Sequence, residues 1–205
     1  MQVLVIHGAG GFVSLNRADF VAALRQKKVS LNDLRRKEDW KSNLSKELGA
    51  NYDVLYARMP DSDSPQYMAW AAWFEQMLPL LDPEVVFIGH SLGALFLVKY
   101  LSENKITNTV RSLHLAASPY TGPEVHSQLG GRLVDGKWLM ASDLGLLADQ
   151  CNKIYFYHSV DDPAVPYSAA EAYMAKLPHA VLRTYEGRGL LRVELLPGLA
   201  EDIKS

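Results

Sequence analysis

The chain has 205 residues, of which 48% are apolar and 21% charged, and its 21 Lys and Arg nearly balance 23 Asp and Glu. This composition is typical of a globular protein of one large or two small domains, and it excludes a collagen, a coiled coil and a wholly disordered chain. No apolar run approaches the roughly 20 residues that a bilayer span needs. The amino terminus lacks the basic region of a secretory signal, and the lone Cys151 cannot form an internal disulfide. We therefore expect a cytoplasmic protein with no membrane partner, and the near-neutral charge also argues against a nucleic-acid partner.

Strand and helix patterns alternate along the sequence. Short apolar runs bounded by turn residues predict strands at residues 3–7, 52–57, 85–89, 110–116, 153–158 and 180–185. Longer segments with helical periodicity predict helices at residues 19–27, 40–48, 65–80, 92–102, 142–150, 168–177 and 194–203. Because most strand runs are apolar on both faces, the alternation predicts an α/β fold, a mainly parallel sheet with helices on both faces. No linker or repeat divides the chain, so we expect a single domain over residues 1–205.

A glycine-rich segment, HGAGG, follows the first predicted strand at residues 7–11. Its backbone can approach a ligand closely, so the amide of Ala9 or Gly10 is a candidate donor to a negatively charged oxygen. The alternative is a dinucleotide-binding loop, since Gly8 and Gly10 begin a G-x-G-x-x-G pattern. Position 13 is Val rather than Gly, which argues against that alternative. His7 adjoins this loop and is a candidate for the substrate pocket.

The strongest chemical motif is the segment at residues 85–94, an apolar run, then G-x-S-x-G, then an apolar helix. A serine hydroxyl is a poor nucleophile unless it is exposed, held in place and deprotonated. A sharp turn between strand and helix would expose Ser91, while Gly89 and Gly93 remove the side chains that would collide around it. The amide of Leu92, at the positive end of the helix, would then face an oxyanion.

The least regular part of the sequence is residues 118–143, which hold two prolines and several glycines. Such an excursion over the strand ends is a common place for a short lid. Tyr120 and Trp138 lie within it and are further candidates for the substrate pocket.

A candidate acid follows the fifth predicted strand, in the segment HSVDDPAVP at residues 158–166. A nucleophilic serine needs a base, and the base needs a carboxylate to hold it. The turn restrained by Pro163 would fix the carboxylate of Asp162, and Asp161 is predicted to be its solvated or capping neighbour.

These motifs together resemble the α/β-hydrolase superfamily: the strand before HGAGG, the GHSLG turn, AASPYTG after the next strand, and HSVDDPAVP. Within that superfamily they are most similar to the small cytosolic serine hydrolases of the retinoblastoma-binding-protein-nine and YdeN type. The resemblance covers nearly the whole chain. It implies a Ser-Asp-His hydrolase with a minimal cap, acting on an ester or amide of a small acyl substrate, and no metal or organic cofactor.

The sequence departs from that pattern at one position. The family pattern requires a histidine just after the last strand, usually after a glycine, but here Leu190 follows Gly189. Leucine cannot accept the proton of the serine hydroxyl, and loss of one triad member removes most of the rate. The sequence therefore predicts weak or no turnover.

Other histidines are poorer candidates for the base. His179 precedes the last strand, at the wrong end of the sheet; His90 is expected to point away from Ser91, and His114 to lie in the core. His158, His7 and His126 remain open alternatives, although none has the expected chain order. Two hypotheses follow: a carboxylic-ester hydrolase impaired by Leu190, or a catalytically silent protein that binds a ligand in the same pocket.

Overall fold

A computed structural model describes residues 1–8, 25–26, 39–62, 65–120, 138 and 143–205. Within them the strands are β1 (Gln2–Ile6), β2 (Asp53–Ala57), β3 (Glu84–His90), β4 (Thr109–Ala116), β5 (Ile154–Ser159) and β6 (Val181–Tyr185). The helices are α1 (Trp40–Leu48), α2 (Tyr67–Met77), α3 (Leu92–Glu103), α4 (Gly145–Gln150), α5 (Ser168–Lys176) and α6 (Leu199–Lys204), with a 3₁₀ turn at Leu78–Leu80. No helix in this described part is long and apolar enough to cross a bilayer.

The described strands form one sheet in the order β2-β1-β3-β4-β5-β6, and every pair is parallel. The central strands β3 and β5 are buried along nearly their whole length, whereas the edge strands β2 and β6 are partly exposed. This burial explains why the central strands are apolar at successive positions rather than at alternate ones. The predicted parallel sheet is confirmed.

Helices cover both faces of the sheet and give the fold its three layers. On one face, α2, α3, α4 and α5 pack in a large apolar cluster around Phe74, Phe87 and Phe96. On the other face, α1 and α6 pack against Val86, Ile88 and neighbouring strand residues. Successive residues of β3 alternate between the two clusters, which is the two-residue period of a strand with helices above and below it.

Three predicted helices have different limits in the structure. The segment 65–80 becomes α2 and a 3₁₀ turn because Pro79 cannot continue an α-helix. The segment 142–150 is helical from Gly145 onward. The segment 194–203 becomes the shorter α6, since Pro197 and Gly198 interrupt it and Gly198, with φ +86°, stands at the start of the helix. Of the predicted helix 19–27, residues 25 and 26 are helical and the rest lie outside the described residues.

Candidate functional site

The loops after β1 and β3 meet at the edge formed by the carboxyl ends of the strands. β1 pairs with β2 on one side and with β3 on the other, so the chain changes direction along the sheet at this point. Ligands of open parallel sheets bind at such switch points, because the loops there diverge and leave a crevice. A Cβ added to Gly8 would lie 3.0 Å from Ser91 Cβ and 3.5 Å from Ser91 Oγ. The first loop therefore lies directly beside the predicted nucleophile.

Ser91 has an unusual backbone conformation, with φ +53° and ψ −121°. The conformation is held by hydrogen bonds, from Ser91 N to Ala116 O (2.8 Å) and from the amides of Ala94 and Leu95 to Ser91 O. Ser91 stands at the first turn of α3, yet its hydroxyl makes no capping hydrogen bond to that helix. Backbone strain of this kind costs about 1–3 kcal/mol and persists where the surroundings enforce it, commonly at functional sites.

The two glycines of the motif are required by close backbone contacts. A Cβ on Gly93 would lie 2.3 Å from Ile6 O, and one on Gly89 would lie 2.4 Å from Ala94 Cα. Real Cβ atoms essentially never come so close to another atom, so no larger residue fits without moving the backbone. These contacts explain the G-x-S-x-G spacing and the tight packing of α3 against β1 and β3.

Asp162 follows β5 at the same edge of the sheet, and its side chain is completely buried. Its Oδ1 accepts hydrogen bonds from the amides of Ala164 (2.8 Å) and Val165 (3.0 Å). Its Oδ2 receives no hydrogen bond from any residue that the structure describes. The nearby His158 Nε2 is 3.9 Å from Oδ2 and donates instead to Val165 O, at 3.0 Å. One carboxylate oxygen is thus fixed and the other is unsatisfied.

Leu190 lies between the serine turn and the loop that carries Asp162. Its carbonyl accepts a hydrogen bond of 2.8 Å from Nε2 of His90, the residue before Ser91. On the other side, a Cβ on Gly189 would lie 3.7 Å from Pro163 Cδ, so the turn before Leu190 is close to the acid loop. The Leu190 side chain is partly buried and packs on the apolar cluster below α1 and α6.

The remaining histidines have other partners. His90, expected to point away from Ser91, has its Nε2 on Leu190 O and its ring edge-on to Trp40, and burial lowers its pKa to about 4. His114 is a core residue, as predicted, with its ring nitrogens on Tyr157 Oη and Ser112 Oγ, both 2.9 Å away, and burial lowers its pKa to about 3. His179 precedes β6, at the amino end of the strands and opposite the Ser91 edge.

The first-loop histidine and the lid histidine are less informative. His7 Nδ1 lies 2.7 Å from Gly8 O. Because a carbonyl oxygen accepts, this nitrogen of His7 is the donor of that bond. His126, Ala9 and Gly10 lie outside the described residues, as do residues 121–137 and 139–142 of the lid candidate.

The two aromatic candidates for the pocket are placed differently from each other. Trp138 is fully buried, donates from Nε1 to Pro65 O (3.1 Å), and packs edge-on against Trp70 at 5.4 Å. That is the packing of a core residue. Tyr120 is partly buried and packs edge-on against Tyr173 at 5.1 Å, beyond the carboxyl end of β4. Their roles toward a substrate stay predictions.

Sequence reasoning understated Asp161. It is exposed, and its carboxylate accepts hydrogen bonds from the amides of Arg188 (3.2 Å) and Gly189 (3.3 Å) as well as from the Ser159 hydroxyl. These bonds, the one from Ser159 above all, hold the pKa of Asp161 below its usual value. The sequence does contain a signal for this role, the two adjacent acids after β5. Asp162 accepts from the amides of its own loop, and Asp161 accepts from the amides of the turn at residues 188–189.

The parallel sheet between two helical layers, with a strained serine where a strand meets a helix, defines the class of α/β hydrolases. A family model for serine hydrolases matches residues 32–193, more than half of the chain. The chain therefore belongs to the serine hydrolase family.

Solved structures of similar shape are consistent with this membership. The chain is similar to the ydeN gene product from B. subtilis, with a TM-score of 0.73 and 18% identity, over 99% of this chain and 96% of that one. A putative YdeN-like hydrolase from Pectobacterium atrosepticum has a TM-score of 0.59 and 15% identity, over 93% and 80% of the two chains. Est1E from Butyrivibrio proteoclasticus, with ferulic acid bound, has a TM-score of 0.60 and 16% identity, over 98% and 84%. At these identities the likeness is one of fold, and no curated protein matches the sequence.

Proposed function

We propose that the chain has the site of a serine hydrolase that cleaves a carboxylic ester or amide through an acyl-enzyme on Ser91, and that Leu190 impairs its turnover. The observation that carries the proposal is the buried Oδ2 of Asp162, which receives no hydrogen bond from the part of the chain that the structure describes. A buried acceptor without a donor costs about 1–3 kcal/mol, and more when it is charged. We expect such a cost at a site that has lost its triad histidine, because the ring N–H of that histidine would donate to Oδ2.

We place the missing donor at position 190 because the turn that contains Leu190 contacts both the Asp162 loop and the residue before Ser91. One side of the turn contacts the Asp162 loop, and the other is hydrogen-bonded to the residue before Ser91. A base that bridges serine and aspartate must stand between them. Position 190 is also where the family pattern expects it.

The chemistry of the complete site is as follows. Ser91 Oγ attacks the carbonyl carbon while the base takes its proton, and the amides of Leu92 and of Ala9 or Gly10 donate to the oxyanion. The base then gives its proton to the leaving alcohol or amine. Water then attacks the acyl carbon while the same base takes a proton from it; the bond from the acyl carbon to Ser91 Oγ breaks, the base returns the proton to Ser91 Oγ, and the acid leaves. In this chain Leu190 can neither accept nor return that proton, and no step calls on a metal or organic cofactor.

A small acyl compound is the proposed substrate, and no protein partner is proposed. Tyr120, at the Ser91 edge, and His7, beside the first loop, are the proposed pocket side chains. Trp138 supports the pocket from the core, where it packs against Tyr67 and Trp70. The Est1E structure holds ferulic acid, and an aromatic acid of that size is a reasonable first ligand to try here.

The decisive experiment restores the base. We expect Leu190→His to raise hydrolysis of a chromogenic short-chain ester by about 10²- to 10⁴-fold, the usual contribution of a positioned general base. A fluorophosphonate probe should label this variant on Ser91 much faster than it labels the unchanged chain. Adding Ser91→Ala should remove both effects.

A matched control shows whether the gain depends on position 190 or on any added histidine. Leu195→His puts an imidazole in the same segment, but Leu195 is exposed and follows the turn by several residues. It should leave both hydrolysis and labelling at the level of the unchanged chain. If Leu190→His is folded and gains no Ser91-dependent hydrolysis, the impaired-triad proposal is wrong.

The second candidate is a catalytically silent binding protein, and the placement of Leu190 supports it. The Leu190 side chain packs on the apolar cluster that includes Leu191 and Leu196, as a structural residue would. On this alternative, the unchanged chain binds a carboxylic acid such as ferulic acid, and Tyr120→Ala weakens binding. Isothermal titration of the chain and of Ser91→Ala would show equal affinities, and Leu190→His would bring no hydrolysis.

A further inference from the structure

The turn that carries position 190 is closed by its own backbone. Leu191 N donates to Arg188 O at 3.0 Å, and Gly189 has φ +48°. A positive φ at this point of a turn is easy for glycine and costly for most other residues. The turn presents the side chain of residue 190 immediately after the glycine.

One side of this turn is held by Asp161. Its Oδ1 accepts from Arg188 N at 3.2 Å, and its Oδ2 accepts from Gly189 N at 3.3 Å. Ser159 Oγ donates to the same carboxylate and accepts from Arg188 N at 3.2 Å. The Ser159 side chain, at the buried end of β5, thereby ties Asp161 and the turn to the sheet.

The other side is held by two ring N–H groups. His90 Nε2 donates to Leu190 O at 2.8 Å, and Trp40 Nε1 donates to Leu191 O at 3.0 Å. His90 and Trp40 are buried, and their rings pack edge-on with centroids 6.0 Å apart. Through His90, the residue that precedes Ser91 is bonded directly to the backbone of position 190.

None of these bonds involves the side chain at position 190. Donors and acceptors all belong to the backbone of residues 188–191 or to side chains on β3, β5, α1 and the Asp161 loop. These hydrogen bonds are therefore available whether residue 190 is Leu or His. A fixed backbone is what gives a general base a defined position relative to its aspartate and serine.

We infer that Asp161 is a positioning residue which, opposite His90, fixes the backbone of position 190, the position from which an imidazole would bridge Asp162 and Ser91. The inference rests on the proposed function and extends it from the triad positions to their support. The two adjacent acids then have separate roles. Asp161 holds the turn, and Asp162 holds the base.

The test uses Leu190→His as the background and adds Asp161→Ala, Asp161→Asn or the control Asp143→Ala. Asp143 also accepts a backbone amide, that of Gly145 at 2.8 Å, at the start of α4. Two quantities are measured for each variant: kcat and KM for the chromogenic ester, and the pKa of the imidazole at position 190 by NMR titration. In the background variant that pKa is expected above the ordinary value of about 6.5, because the imidazolium faces the Asp162 carboxylate.

Adding Asp161→Ala should lower kcat by about 10- to 100-fold with little change in KM, the size of effect that small misplacements of catalytic groups have. It should also bring the imidazole pKa back toward its ordinary value. Asp161→Asn keeps one acceptor oxygen, but its NH2 group would face the other backbone N–H, so both quantities should lie between those of the background variant and those of Asp161→Ala. Asp143→Ala should match the background variant.

The contrary results are distinct. If Asp161→Ala and the background variant share the same kcat and imidazole pKa, the inference is wrong while the proposed function stands. If Asp161→Asn matches the background variant in both quantities, losing one of the two backbone hydrogen bonds has no effect on the base, and the inference is again wrong. If Leu190→His hydrolyses nothing, the proposed function fails, and the imidazole pKa still reports whether Asp161 positions that side chain. Should Asp161→Ala not fold, the same comparison is made with Asp161→Asn.

Discussion

Two buried aspartates of this chain have contrasting surroundings. Asp202, on α6, accepts hydrogen bonds from Tyr157 Oη (2.9 Å) and from Arg183 Nε (3.0 Å), and its other oxygen pairs with Arg183 Nη2. Asp162 has both of its bonds on Oδ1 and none on Oδ2 from the described residues. A buried carboxylate with all of its hydrogen bonds made is typical of a structural role, whereas a buried carboxylate oxygen without a donor needs another explanation.

The network around Asp202 has a defined direction. Tyr157 Oη donates to Asp202, so it accepts from Nδ1 of His114, and His114 Nε2 in turn accepts from Ser112 Oγ. Serine, histidine and aspartate are thus linked in the core, whereas the rim has serine and aspartate with Leu190 in place of the histidine. Only the position on the rim adds a strained backbone and a missing partner. The contrast shows that residue types alone do not define a catalytic site.

The largest expected effect concerns the role of Asp162 once a base is present. In the Leu190→His background, Asp162→Asn should reduce ester hydrolysis by about 10³- to 10⁴-fold, because an amide no longer stabilises the imidazolium or selects its tautomer. Steady-state hydrolysis of a short-chain ester measures it. Asp202→Asn in the same background should leave the rate per folded molecule unchanged, and an equal loss from both changes would remove the distinction between the two aspartates.

The next largest effect is on stability, where we expect Asp202 to matter more than Asp162. In the unchanged chain, Asp202→Asn should lower the free energy of unfolding by about 2–3 kcal/mol, because it weakens a hydrogen-bonded ion pair. Asp162→Asn should cost less than about 1 kcal/mol, since it removes a charge that has an unsatisfied oxygen. Urea unfolding at neutral pH measures both, and a larger loss for Asp162→Asn would show that its Oδ2 is satisfied in solution.

The smallest expected effect is a pH dependence from the core histidine. Burial lowers the pKa of His114 to about 3, below the value of about 6.5 expected in the unfolded chain. The neutral form therefore contributes stability that is fully present above pH 6.5 and is lost as the pH falls toward 3. The loss is about 2 kcal/mol by pH 5 for one such group.

His90, with a pKa lowered to about 4, adds a loss in the same direction. His114→Gln should therefore reduce the change in urea midpoint between pH 7.5 and pH 5 by about half. Asp202 titrates in a separate, more acidic window, since the hydrogen bonds from Arg183 and Tyr157 outweigh its burial and hold its pKa below the ordinary value for Asp. If the urea midpoint of His114→Gln changes between pH 7.5 and pH 5 as much as that of the unchanged chain, His114 does not contribute to this pH dependence.

The sequence predicted the sheet well, for a physical reason. Central parallel strands are buried on both faces, so they appear as continuous apolar runs such as 85–89, and the strands lie within a residue or two of those runs. The turn at Ser91 was predictable because the collisions that require Gly89 and Gly93 are local in the chain or involve the adjacent first strand. The start of α6 at Leu199 follows from Pro197 and Gly198, which interrupt the predicted helix at residues 194–203.

The supports of the site could not be predicted. The bond between His90 and Leu190 joins residues 100 positions apart, and the bond between Trp40 and Leu191 joins residues 151 apart. No periodicity carries information about pairs so distant in sequence. The packing of Trp138 against Trp70 could not be predicted for the same reason, because the two residues are far apart in the sequence.

The most direct measurement of the central claim is the rate of Ser91 labelling by a fluorophosphonate, compared between the unchanged chain and Leu190→His. The account predicts slow labelling of the unchanged chain and labelling faster by about two orders of magnitude or more in the variant, abolished by Ser91→Ala. Equal labelling rates in the two folded proteins would contradict it, because they would show that the unsatisfied oxygen of Asp162 does not mark the place of a missing base.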